Sequence, residues 1–206
     1  MLPSQIVFNG AMIDPASLLA FLSNPTFPAG MTSLSSVSLP LPNNINPLKV
    51  ANIPLGPVAL ASIGTNTADV LNQWWMTDIF VPYTGSFAKI GVLQGGTATT
   101  DNIQVAIWDS SGKLVGNSAA AGVLLSGANT FKELTLAAPV TLSGPGYYVI
   151  GVVGNGTAAG AIQTLASPNI MNRTAILAGT FGTVPATITM PTAWTTGQGP
   201  VVYLGN

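Results

Sequence analysis

Neither cysteine nor histidine occurs in the 206 residues, and charge is scarce. Without thiols there is no disulfide framework, no thiolate metal site and no cysteine nucleophile. Without imidazole the chain lacks the commonest general base and the commonest metal ligand. Charged residues make up 5% of the chain, with a formal net charge of −1, against roughly 25% in ordinary globular domains. Five scattered cations, Lys49, Lys89, Lys113, Lys132 and Arg173, cannot form the basic stripe that nucleic acid requires, so no direct nucleic-acid partner is expected. Long apolar runs are missing too. Hydrophobic residues reach 48%, yet Gly, Pro, Ser, Thr or Asn cuts every run well short of the roughly 20 residues of a spanning helix. No membrane partner is expected, and Met1-Leu2-Pro3-Ser4-Gln5 carries no basic region of a secretory signal. Few charges leave little repulsion between copies, which points to a homo-oligomer or a larger assembly.

What the chain does have is strand grammar. Ile103, Val105 and Ile107 alternate with Gln104, Ala106 and Trp108, the period of an extended strand. Ser110-Ser111-Gly112-Lys113 then supplies a tight turn into Leu114-Val115-Gly116, completing a hairpin. Further strands are expected over 87–93, 131–136 (with a bulge near Phe131), 174–177, 186–190 and 201–204. The run 147–153, apolar on both faces, reads as a central strand. No helical period interrupts them. The reading is all-β: an antiparallel, jelly-roll-like β-sandwich body over residues 66–206.

Residues 1–65 differ in kind. Nine of the sixteen prolines fall between Pro3 and Pro57, and proline at this density favours extended backbone. Asp14-Pro15 offers an N-cap and a first-turn proline, and Asn24-Pro25 a stop, so one short helix is expected between them. Its apolar face would be Leu18, Phe21 and Leu22. A helix this short does not hold in water alone, so that face must dock. Leu39, Leu41, Ile45, Leu48, Ile53 and Leu55 alternate with the prolines and make the strap apolar rather than linker-like. Residues 1–65 are therefore read as an extended, Pro-rich N-terminal arm that binds a partner through these nine side chains.

Four blocks carry a resemblance: TDIFVPYTGSFAKIGVLQGG, DNIQVAIWDSSGKLVGNSAAAGVLLSGANTFKELTLAAP, GPGYYVIGVVGNGTAA and GTFGTVPATITMPTAWTTGQGPVVYL. In this order, over roughly residues 72–206, they resemble virion-associated β-sandwich proteins of tailed bacteriophages and prophages, similar to carbohydrate-binding modules. The resemblance implies a structural role in the virion, a capsid decoration or head-fibre protein first and a tail or baseplate component second. Its partners would be the major capsid or other virion proteins, and its site the particle assembled in the host cytoplasm. No catalytic residue comes with it.

Candidate sites are few. Asp101 and Asp109 flank a strand that would hold them about 25 Å apart, too far for a glycosidase pair. Asp78 and Glu133 are read as solvated or turn-capping. No Ser-His-Asp triad is possible without histidine, and acidic density is too low for a calcium loop. No enzyme activity, cofactor or metal is expected. Trp74, Trp75 and Trp108 are the candidate exposed aromatic contacts. Neighbours on a strand face opposite sides, so Trp74 and Trp75 cannot share one core. One indole must meet a second layer, the arm, a partner or solvent; a bacterial surface glycan is the alternative to protein as that partner, and the alternative function is a carbohydrate-binding host-recognition module.

Overall fold

The computed structural model describes residues 6–8, 11–13, 49–52, 64–68, 72–97, 100–156, 161–165, 172–195 and 197–206. The chain divides into two compact units, Met1–Ile45 and Asn46–Asn206. In the first, β1 (Ile6–Phe8) and β2 (Ala11–Ile13) pair antiparallel, with Phe8 opposite Ala11. The two intervening residues in the sequence are Asn9-Gly10, a dipeptide favoured in two-residue hairpin turns. The expected helix and all nine arm contacts, Leu18, Phe21, Leu22, Leu39, Leu41, Ile45, Leu48, Ile53 and Leu55, lie outside the described residues.

The second unit is built from antiparallel sheets. Its strands are β3 (Val50–Ala51), β4 (Thr65–Ala68), β5 (Gln73–Val81), β6 (Gly85–Leu93), β7 (Asn102–Trp108), β8 (Leu114–Asn117), β9 (Val123–Leu124), β10 (Phe131–Leu142), β11 (Gly146–Gly154), β12 (Ala161–Thr164), β13 (Thr174–Ala178) and β14 (Val202–Gly205). One large sheet has the order β13-β5-β11-β7-β8, with β9 also on β7. The other runs β10-β6-β14-β3, and β12 pairs with β4 in a small ladder. As its doubly apolar sequence predicts, β11 is interior, between β5 and β7.

The inward faces of the two large sheets share one core. Trp75, Ile79 and Val81 of β5, Ile103, Val105 and Ile107 of β7 and Ile150 and Val152 of β11 meet Ile90 and Val92 of β6, Leu134 and Leu136 of β10, and Val202 and Leu204 of β14. Most are wholly buried, and each such aliphatic side chain contributes roughly 1.5–3 kcal/mol relative to exposure. This is the alternating half of every strand pattern put to use.

Three local differences from the sequence reading have plain causes. The segment Lys49–Asn52 belongs to the sheet-bearing unit: Val50 and Ala51 pair with Leu204 and Tyr203. The buried Asn52 fixes it there, donating to Thr77 Oγ1 (3.2 Å) and the Pro200 carbonyl (2.9 Å) and accepting from the Val202 amide (3.0 Å). β10 runs on to Leu142, and its irregularity falls between Thr135 and Val140 rather than at Phe131, where Pro139 has no N–H to give to a ladder. Residues 186–190, expected as a strand, make only a single bridge, Lys113 to Thr187. Pro185 and Pro191 bracket that stretch. It crosses the outer face of the six-stranded sheet as irregular chain, held by Leu114 N–H to Ala186 O (2.9 Å) and Ile188 N–H to Gly112 O (2.8 Å).

Candidate functional site

The tryptophans expected as exposed contacts are not exposed. Trp74 and Trp108 are fully buried and Trp75 is 6% exposed. Trp75 points into the core between the sheets. Trp74 and Trp108, on the opposite face, build a second core with Met76, Val149 and Val153, covered by Phe181, Val184, Ile188 and Met190. The indoles meet edge to face at 5.5 Å, and Trp108 Nε1 donates to the Pro185 carbonyl at 2.9 Å. Of the destinations open to the second indole, a further layer of this chain is the one realised. Room for the pair comes from Gly151 and Gly179, where an added Cβ would stand 2.7 Å from Trp108 and 2.4 Å from Trp74.

Of the two acids read as solvated or turn-capping, Glu133 is exposed and Asp78 is buried; the turn is capped by Asp109, whose Oδ1 accepts from the Ser111 and Lys113 amides. That geometry, the Ser111 hydroxyl foremost, lowers its pKa. Asp78 is 2% exposed and held at both oxygens by Arg173, from the backbone amide (2.7 Å) and Nε (2.8 Å). Burial nevertheless dominates and raises its pKa above the usual aspartate value, Arg173 opposing. Glu133 sits on the outer face of the four-stranded sheet, where it accepts from the Tyr203 hydroxyl and pairs with Lys49 and Lys89, each at 3.3 Å. The tyrosine hydrogen bond, then the two lysines, lower its pKa, while burial and Glu133 raise that of Tyr203. The network depends on a missing side chain. Gly91 lies between Glu133 and Tyr203 in the cross-strand row, and a Cβ there would be 2.3 Å from the tyrosine ring that lies across it.

Ser-x-x-Lys spacing occurs twice, at Ser86…Lys89 and Ser110…Lys113. Neither is a catalytic pair: Lys89 is engaged with Glu133, and Ser110 and Lys113 belong to the turn organised by Asp109.

The concavity that stands out lies beside β13. It is an open cleft of about 410 Å³ lined by Met76, Ala175 and Leu177 on one side and by Thr189, Met190 and Gln198 among others on the other. No ionisable or aromatic side chain lines it. At one end the Thr174 amide donates to the Ala193 carbonyl (2.9 Å), and the Thr195 amide donates to Thr174 Oγ1 (2.8 Å). Beyond that closure no strand among the described residues pairs with the edge of β13. Sequence pattern did not single out β13, because its residues look like any short strand. The signal that was present is what Thr174-Ala175-Ile176-Leu177-Ala178 omits: charge, proline and glycine.

Among the described residues no group of three or more acidic side chains converges as a metal site, and no helix is long and apolar enough to cross a membrane. The arrangement offers backbone hydrogen-bonding groups and neutral contact surface. No protein-family model, no curated protein and no solved structure matches the chain.

Proposed function

We propose that this protein is a non-enzymatic structural component of a tailed-bacteriophage particle. In this reading a jelly-roll-like β-sandwich body is displayed outward and the N-terminal arm fixes it to major capsid or other virion proteins, as a capsid decoration or head-fibre protein. The observation that carries the reading is how the scarce charge is used. Of the nine charged side chains among the described residues, Glu133, Lys49, Lys89, Asp78 and Arg173 are consumed in internal pairs, and the cleft has none. Such a surface is suited to hold and to build, through aliphatic burial and backbone pairing, and not to move protons. The resemblance of the ordered sequence blocks to virion-associated proteins supports the same reading.

The test is release from particles. Attachment through apolar burial survives molar salt, whereas ion-paired attachment is screened away; release of the protein by high ionic strength would overturn the mode of attachment. Because the sheet-bearing unit starts at Asn46, the informative truncation removes residues 1–45. Loss of particle binding is expected, and a truncated body that binds unchanged would show that the arm is not the anchor.

A further inference from the structure

The two large sheets have four edges, and three are guarded. β10 carries Lys132, Glu133 and Pro139 and a register shift. β3 is only two residues long. On the far side of the six-stranded sheet, β9 is two residues long, and β8 has a register shift against β7 and is closed by the bridges Lys113–Thr187 and Ser118–Leu136. These are the devices by which sheet proteins prevent edge-to-edge association. β13 has none of them. It is five residues of uncharged, proline-free strand with Ile176 36% exposed, and among the described residues no strand lies beyond it.

Register tells which groups it presents. Asp78 N–H bonds to Arg173 O and Gly179 N–H to Asn72 O, so odd-numbered residues turn their backbone groups toward β5. The N–H and C=O of Ile176 and Ala178 therefore point outward. Thr174 is closed off by Ala193.

We propose that β13 pairs with β13 of a second copy, antiparallel about a two-fold axis at Leu177. That register sets Ile176 against Ala178 of the other copy, and the reverse, so four hydrogen bonds satisfy all four outward groups of each copy. A second copy is the occupant because the edge is self-compatible. It is neutral, so the two-fold brings no like charges together, and the donor and acceptor pattern at 176 and 178 is its own complement. One short strand pair buries less than the roughly 1,200–2,000 Å² of a stable interface, so the dimer is weak and depends on concentration. The proposal does not require the particle assignment, and its test is done in free solution.

Sedimentation equilibrium of the full chain over a wide concentration range gives a reversible monomer–dimer equilibrium. Ile176→Lys raises its dissociation constant at least about tenfold with an unchanged thermal midpoint, while Leu124→Lys, at the other exposed aliphatic residue of a sheet edge, leaves it alone. A register test uses the absence of cysteine: Leu177→Cys places the two sulfurs across a non-hydrogen-bonded pair, within disulfide reach, and oxidation gives a covalent dimer. Monomer at every concentration, equal weakening by both lysine variants, or no cross-linking at 177 would each overturn the pairing. So would binding of an extended neutral peptide to β13 with no self-association.

Discussion

The outer face of the six-stranded sheet is covered by residues 181–190 and filled with Trp74, Trp108 and Met76, whereas the outer face of the four-stranded sheet holds a buried Tyr203 beneath the partly exposed Glu133, Lys49 and Lys89. Both faces alternate with the same aliphatic core. The difference lies in what crosses them: a covered face becomes a second core and takes large aromatics, and a face left near water gathers the ionic groups the first could not accommodate. In a chain with so few charges, that sorting leaves the cleft beside β13 without any and the outer face of the six-stranded sheet with the buried Asp78 held by Arg173.

The largest way to break this comparison is Trp108→Ala. It empties a fully buried site and removes the anchor to Pro185, with an expected loss of about 3–5 kcal/mol, read by denaturant unfolding. If the covering segment is part of the same cooperative unit as the inter-sheet core, Ile107→Ala on the other face lowers the same single transition by about 2–5 kcal/mol. Two separate transitions would show the cover to be an independent layer.

Next is Gly151→Ala, whose methyl meets Trp108 at 2.7 Å and Trp74 at 3.0 Å. About 1–3 kcal/mol is expected from overpacking, partly restored when Trp74→Leu is added. No restoration would place the strain elsewhere.

Asp78→Asn comes third. It leaves Arg173 Nε without its carboxylate, and because the guanidinium is partly exposed the expected loss is about 1–3 kcal/mol at neutral pH. The pH dependence has a definite sign. The folded-state pKa of Asp78 lies above its unfolded value, so the folded protein binds its proton more readily, and wild type gains stability relative to the variant as pH falls through that raised value.

The smallest effect is Glu133→Gln, under about 1 kcal/mol because both lysine pairs are well exposed. Here the sign reverses. The depressed folded pKa gives a contribution present above the usual glutamate value and lost as pH falls through the folded one. Titration of stability from neutral to acid should thus show the two variants diverging from wild type in opposite directions. Parallel curves would refute the assignment of one carboxylate as buried and the other as network-held.

Local alternation made much of the sheet-bearing unit legible. β7 and its Asp109 turn, β6, β11 and β13 lie within a residue or two of where periodicity puts them, and the opposed directions of Trp74 and Trp75 follow from strand geometry alone. Partnerships across long separations were not legible. β3 is two residues in proline-rich surroundings whose ladder partner, Leu204, lies about 150 positions on, and Asn52 has the look of a loop residue until Pro200 and Val202 are brought to it. The cover over Trp108 was hidden for a related reason. Its Pro-bracketed apolar run has a strand's composition but no ladder of its own, and only the indoles beneath explain its residues. The hairpin of β1 and β2 did have a signal, the Asn9-Gly10 dipeptide between two short apolar runs.

β14 follows every other strand in chain order, yet it lies between β6 and β3 in its sheet. During synthesis, then, β3 must wait with its hydrogen-bonding groups unpaired until almost all of Asn46–Asn206 has left the ribosome, and only the arrival of Val202–Gly205 closes the gap. Folding of this unit is for that reason a late, all-at-once event dominated by distant contacts, and a nascent chain in which Val202–Gly205 has not yet paired is the species most in need of protection from self-association.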